Sequence, residues 1–187
     1  MYAVDGTPVG IVGRRLPPVD HSQRFYNSPG LPKRLIPWNI HNAKKHGDTG
    51  IITEASFDGM KIDQAGFPNV LGLLGGYVTP WHYEVIDRHF STLILMTDFD
   101  KKRFDVNCKR CKSKGNRICT GHRAGRDFGR TIINQFPHKK VLWVAYDDTC
   151  VYPNGAKDAT DMTDDEIRQC LKNTISNYEY RRWNIED

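Results

Sequence analysis

From Gly50 onward the chain alternates short, wholly apolar runs with stretches in which apolar residues recur at helical spacing. An apolar run of four to eight residues between turn formers suits a strand buried on both faces, and the longer period suits an amphipathic helix. "GIIT", "NVLGLL", "STLILMTDFD" and "KKVLWVAY" therefore predict strands. Between them, "SFDGMKIDQAG" predicts a helix ending at Gly66, "TPWHYEVIDRH" one capped by Thr79 with Pro80 at its first position, and "GRDFGRTIINQFP" a third. Strands that alternate with helices connect by right-handed crossovers, so the fold class is α/β with a mostly parallel sheet and flanking helices. The carboxyl-terminal "TDDEIRQCLKNTISNYEYRRW" predicts one amphipathic helix, with Thr163 as cap and Glu166 at capping-box spacing.

Residues 1–46 have a different texture. Short apolar runs are broken by Gly and Pro in "VGIVGRRLPP" and "NSPGLPKRLIP", which predicts a small β-rich lead-in; "WNIHNAKKHG" then predicts a helix closed by Gly47. Trp38, Trp81 and Trp143 fall on apolar faces and are expected in the core. His41, His46, His82, His89 and His138 have no metal-ligand spacing with one another, and no role is assigned to them.

In an open α/β sheet, ligands bind beyond the carboxyl ends of the strands. Glu54, the pair Asp98 and Asp100, and Asp147 and Asp148 follow predicted strands there, with Asp158 and Asp161 close behind in "NGAKDATD". An isolated D-x-D also ends strands in ordinary turns. Here Glu54 and Asp158 accompany it, and crowded carboxylates repel unless a cation neutralises them. Oxygen ligands without His or Cys suit a hard cation, Mg²⁺ or Mn²⁺, of the kind that bridges phosphate oxygens in phosphoryl and nucleotidyl transfer.

Composition adds limits. At 187 residues, 39% hydrophobic and 26% charged, the chain has the make-up of one globular domain, and no apolar run is long enough to span a membrane. Its first segment, interrupted by Asp5, Gly6, Pro8 and Gly10, does not read as a secretory signal, and a cytoplasmic protein is expected. The net charge of +5 is unevenly placed: Arg and Lys gather in the lead-in and again between Lys101 and Arg130, consistent with a positive face for a polyanion. A disulfide framework does not fit such a chain, and Cys150 and Cys170 read as packing residues.

After "TDFD" comes "KKRFDVNCKRCKSKGNRICTGHR", in which Cys108, Cys111, Cys119 and His122 form C-x₂-C-x₇-C-x₂-H. Two close pairs of soft and borderline ligands can enclose one Zn²⁺ tetrahedrally, and a short polar loop without a core needs such a staple to be ordered. A structural zinc knuckle is expected over about 101–123, and its Lys and Arg suit phosphate contact.

The residues "TEASFDGMKIDQAGFPNVLGLLGGYVTP…LILMTDFD" resemble the Toprim domain of primases, topoisomerases and some nucleases, in which a Glu ends the first strand and a D-x-D ends the third. Asp58, "LGG", "AGRDFGR" and "GAKDATD" make the resemblance one to DnaG-type primases of bacteria and phages, and "DGTPVGIVGRRL…QRFYNSPGLPKRLIPWNIHNAKK" is similar to the basic subdomain that precedes Toprim in their polymerase core. The resemblance implies a basic amino-terminal subdomain over 1–46 and a Toprim domain over 47–187. It further implies that Glu54, Asp98 and Asp100 hold catalytic Mg²⁺ or Mn²⁺ with Asp58, Asp158 and Asp161 in support, and that Arg14, Arg24, Asn27 and Lys33 face template or nucleotide. Family members carry Gly after the catalytic Glu, where this chain has Ala55, and they commonly run from the D-x-D almost directly into Ala-Gly-Arg. They also possess an amino-terminal zinc-binding domain that has no counterpart in this sequence.

The implied activity is RNA primer synthesis by a metal-dependent nucleotidyltransferase, with single-stranded DNA and ribonucleoside triphosphates as partners. A replicative helicase or a separate template-recognition chain would complete the set, in a bacterial or phage-infected cell. A small Toprim nuclease and a non-catalytic nucleic-acid-binding module are the alternatives.

Overall fold

A computed structural model describes residues 1–15, 25–100, 103–113, 115, 118–119, 121–145 and 152–183. Arg24, Asp147, Asp148 and Cys150 lie outside the described residues. Two short strands, β1 (Val12–Arg14) and β2 (Phe25–Asn27), pair antiparallel and give the lead-in its expected β character. The expected helix before Gly47 is a single turn, α1 (Ile40–Ala43), followed by Gly47 at φ 96°.

Then come β3 (Thr49–Thr53), α2 (Ser56–Gln64), β4 (Val70–Gly72), α3 (Pro80–His89), β5 (Thr92–Leu95), α4 (Lys109–Ser113), α5 (Ala124–Gln135) and β6 (Lys140–Val144). Two 3₁₀ turns at Pro153–Gly155 and Ala159–Asp161 lead into α6 (Asp164–Lys172), β7 (Thr174–Ser176) and α7 (Asn177–Trp183). The five-stranded sheet has the order β4-β3-β5-β6-β7, parallel throughout except for β7, which runs antiparallel to β6. Among the described residues no helix is long and apolar enough to cross a membrane.

Period-two alternation explains why the central strands are apolar throughout. Ile52, Leu93 and Leu95 point to one face, where Ile86 of α3 and Phe128 and Ile132 of α5 cover them. Ile51, Val70 and Met96 point to the other, against Ile62 of α2 and Ile167 and Cys170 of α6. α3 starts as expected, Thr79 accepting the His82 amide, and α6 carries the full Thr163–Glu166 capping box.

Two expectations are corrected. The carboxyl-terminal segment is not one helix: α6 stops at Lys172, and Thr174–Ser176, with a β-branched residue at two of its three positions, joins the sheet edge instead. Sheet hydrogen bonding and the burial of Tyr180 against Trp143, ring centroids 4.0 Å apart, outweigh helical periodicity. Trp81 is not a core residue. It is 57% exposed on the outer face of α3, where its neighbour His82 takes the inward position. Trp143 is buried, and Trp38 packs against the core.

α5 lies close on the sheet because Gly129 presents no side chain to Trp143, whose ring occupies the place a Cβ would need. Stacking on Tyr180, with ring centroids 4.0 Å apart, holds Trp143 in this position. Gly129→Ala is therefore expected to destabilise the fold by a net of about 1–2 kcal/mol, overpacking outweighing the gain in helix propensity. Urea denaturation checks this, and a midpoint at or above that of the parent contradicts it.

Candidate active site

Glu54 follows β3 directly, and Asp98 lies in the irregular segment after β5, so the parallel β3–β5 pairing, with Ile52 opposite Leu95, delivers both acids to one edge. The strand ends before the D-x-D, at Leu95. Buried Thr53 pins the turn at Glu54 by donating its hydroxyl to the carbonyls of Ala55 and Leu71, and the Gly75 amide donates to Glu54 O at 3.2 Å. Ala55 has φ −118° and ψ 157°, ordinary extended backbone, so its methyl group introduces no strain beside Glu54. Leu74 is held at φ 56°, in the left-handed region that a branched side chain rarely enters.

A cleft of about 440 Å³ opens here, and the carboxylates of Glu54, Asp58, Asp98 and Asp158 line it. From the lead-in, Arg14 of β1, Phe25 and Asn27 of β2 and Lys33 line the other wall, and Phe57 of α2, beside Asp58, meets them from the acidic side. The guanidinium of Arg14 lies 5.8 Å from the Phe57 ring centroid, and the Phe25 and Phe57 rings are 5.7 Å apart. His82, wholly buried, donates through Nε2 to Lys33 O at 3.0 Å; burial lowers its pKa, which favours the neutral ring in this position.

Asp100 is not among the lining residues. It is buried just behind Asp98, where Gly125 N at the start of α5 donates to its Oδ2 at 3.3 Å. Asp161 also lies outside the cleft lining: its carboxylate accepts the Lys157 amide at 3.0 Å, and that of Asp158 accepts both the amide and the hydroxyl of Thr160. Lys157 reaches into the acids, with Nζ 2.7 Å from Asp98 Oδ2 and 3.7 Å from Asp100 Oδ1. Lys157 is a site residue that the motifs do not single out; its signal in the sequence is a single cation in the acid-rich loop "NGAKDATD". Phe25 and Phe57 gave no such signal, since each looks like any half-exposed aromatic.

Burial, reinforced by the charge of Asp98, pushes Glu54 up to about 7, and burial reinforced by Asp158 pushes Asp58 up to about 7. Asp98 is also raised, chiefly by burial, against the pull of Lys157. Glu54 Oε1 is buried with no hydrogen-bond partner. An orphaned carboxylate oxygen among acids that resist ionisation fits a hard divalent cation, which would supply the missing charge and coordination.

Beyond Asp100, Sγ of Cys108 and Sγ of Cys111 lie 3.1 and 3.3 Å from Nε2 of His122, and the ligand atoms of Cys108, Cys111, Cys119 and His122 are all within 4.8 Å of one another. The sequence spacing thus does bring this set together. These atoms can surround a single soft or borderline cation.

No protein-family model matches the chain. In sequence it is 30% identical over 107 residues to the DNA primases of two Helicobacter pylori strains, 26695 and J99, a match covering 54% of this chain and 19% of theirs. The match spans about a fifth of the length of those relatives. In fold it is similar to the Aquifex aeolicus primase (zinc-binding and RNA polymerase domains), with a TM-score of 0.69 and 19% identity over 100% of this chain and 43% of that one. It is likewise similar to a DnaG primase catalytic domain bound to single-stranded DNA, with a TM-score of 0.68 and 15% identity, covering 100% of this chain and 54% of that one. The architecture is thus the α/β Toprim core of primases. Over the matched segment the chain is homologous to DNA primases, and its fold is that of the primase catalytic core.

The raised acids make stability depend on pH. With a folded pKa of about 7 against an ordinary 4.5, Glu54 binds its proton more tightly in the folded chain. Its relative stabilisation is complete below about pH 4.5 and is lost as pH rises to 7. In divalent-free buffer, Glu54→Gln should therefore raise the melting temperature at pH 8 and leave it nearly unchanged at pH 4.5. Equal shifts at both pH values would show that Glu54 is not desolvated.

Proposed function

We propose that this chain is the polymerase core of a DNA primase, joining ribonucleoside triphosphates on a single-stranded DNA template during replication. The observation that carries this reading is the cleft that Glu54, Asp58, Asp98 and Asp158 share with Arg14, Asn27 and Lys33. Acids on one wall and basic or amide side chains on the other suit a substrate whose phosphates need both a metal and direct donors. Homology to DNA primases, and the similarity to a DnaG domain bound to single-stranded DNA, support it. In this reading residues 1–46 form the basic subdomain and 47–187 the Toprim domain.

Glu54, Asp98 and Asp100 would hold Mg²⁺ or Mn²⁺, which when bound neutralises triphosphate oxygens and lowers the pKa of a primer hydroxyl. Asp58 and Asp158 add negative charge beside this set, and Asp161 braces the backbone of Lys157. On the opposite wall Lys33 and Arg14 contribute phosphate donors, and Asn27 a neutral donor and acceptor. The Phe25 and Phe57 rings exclude water and offer an apolar face to a base.

Incubation with single-stranded DNA, labelled ribonucleotides and Mg²⁺ or Mn²⁺ tests the proposal: it expects extension, whereas cleavage of the DNA would identify a nuclease and binding alone a non-catalytic module. Asp98→Asn and Asp100→Asn should each reduce synthesis by at least about 100-fold with little loss of folding, since each keeps the shape and removes a charge on which several kcal/mol of transition-state stabilisation depends. Comparable turnover in either variant with both metals would remove these acids from the chemistry.

Lys33→Ala and Arg14→Ala should each weaken DNA or nucleotide binding and reduce the salt slope of the DNA affinity by about 0.7, the increment for one phosphate contact on a single strand. Unchanged slopes would make them ordinary surface charges.

A further inference from the structure

The insert between the D-x-D and α5 is built inside out by the standard of a hydrophobic fold. Cys108 and Cys111 are 8% and 3% exposed, while Phe104, Val106 and Ile118 are 69%, 94% and 82% exposed. Burial of hydrocarbon therefore does not order this loop, and its centre is occupied by sulfur and imidazole. Cys108, Cys111 and Cys119 are not joined in a disulfide. Tetrahedral zinc with its usual bond lengths to sulfur and nitrogen spaces neighbouring ligand atoms roughly 3.5 Å apart, close to the 3.1 and 3.3 Å between the two thiols and His122 Nε2. Amides converge on the sulfurs as well: Cys111 N on Cys108 Sγ and Gly121 N on Cys119 Sγ, both at 3.4 Å.

The cluster is not suspended away from the rest of the protein. Arg103 and His122 exchange backbone hydrogen bonds of 2.9 and 2.8 Å, which close the base of the insert. With Nε2 turned to the thiols, His122 presents Nδ1 to Asp127 Oδ2 in the first turn of α5 at 3.9 Å, the side from which carboxylates commonly orient a metal-bound histidine. Arg123 stacks its guanidinium 5.4 Å from the ring centroid of Phe99, between the two acids of the D-x-D. Three residues after His122, Gly125 donates its amide to Asp100 Oδ2, and its missing side chain leaves just enough room for the α5 backbone to rest on the carbonyl of Asp98.

We propose that Cys108, Cys111, Cys119 and His122 bind one Zn²⁺ that sets the start of α5, and through the Gly125 amide fixes Asp100 in the geometry needed to hold the catalytic cation. The zinc is thus a clamp on the active site and not only a staple of a loop. Zinc loss frees His122, the α5 terminus loses its upstream anchor, and Asp100 loses its donor. The second half of this inference rests on the reading of Asp100 as a cation ligand. Because thiolates select zinc and carboxylates select the harder ion, the two sites can be loaded and read separately.

The test uses the full chain in three forms: as purified, stripped of zinc by a chelator and dialysed, and carrying Cys119→Ser. Elemental analysis, Mn²⁺ binding followed by electron paramagnetic resonance, far-ultraviolet circular dichroism and hydrogen exchange at the Gly125 amide are measured on each. About one Zn²⁺ per purified chain is expected. Zinc-free protein should keep its circular dichroism, exchange Gly125 faster and bind Mn²⁺ on the order of 10-fold more weakly, the cost typical of losing a group that orients a metal ligand. Added Zn²⁺ should restore the stripped protein and not Cys119→Ser. Purified chain without zinc would overturn the site. Zinc removal that leaves both Mn²⁺ affinity and Gly125 protection unchanged would overturn the clamp while the acid site stands. Zinc-loaded protein that binds no Mn²⁺ would overturn the reading of Asp100, and the clamp with it.

Discussion

Like charges brought together out of water set the terms for this fold. Glu54, Asp58 and Asp98 are each desolvated, and each is made harder to ionise by carboxylates beside it. A chain gathers such groups only if stronger forces hold the elements that carry them. Those forces are the two apolar layers on either side of β3 and β5, which fix the strand register regardless of what stands at the strand ends. Repulsion is then relieved locally, by the ammonium of Lys157 and by the Gly125 amide behind Asp100. The remaining imbalance is the feature on which the proposed divalent-cation site rests.

The lead-in answers the acidic wall with a basic one, and it does so with little architecture of its own. β1 and β2 are three residues each, and their cleft-facing groups are placed partly by contacts with the sheet domain: Phe25 meets Phe57 of α2, and Lys33 is held by its carbonyl to His82 of α3. His82, to which histidine spacing assigned nothing, thus connects one face of the sheet to the opposite wall of the cleft.

The central strands and helices were legible because each buries its apolar face by a rule of period, and caps such as Thr79 and Thr163 announce themselves locally. Glu54 and Asp98 were legible for a related reason: once the sheet is parallel, strand ends share an edge. What period could not reveal was decided by tertiary partners. Trp143 and Tyr180 stack through contacts distant in sequence, and the strand Thr174–Ser176 exists because β6 offers an open edge, so a helical pattern gave way there. The outward turn of Trp81 and the inward reach of Lys157 likewise depend on neighbours that sequence spacing does not contain. Cys108, Cys111, Cys119 and His122 were legible because ligand geometry, unlike packing, is written in local spacing.

Trp38 gives the lead-in a second meaning. Its backbone N–H donates to Gly72 O at 2.8 Å and its carbonyl accepts from Gly72 N at 3.3 Å, a single antiparallel bridge laid along the outer side of β4. β4 is the terminal strand of the sheet, with unpaired amides and carbonyls that would otherwise offer a template to another chain. The indole itself fills the space above Gly59. The segment that supplies the basic wall therefore also seals an edge, so a sheet domain cut free at residue 47 would expose a self-complementary border. Protection of a sheet edge and the lining of the cleft thus fall to the same stretch of polypeptide, and a change made for one bears on the other.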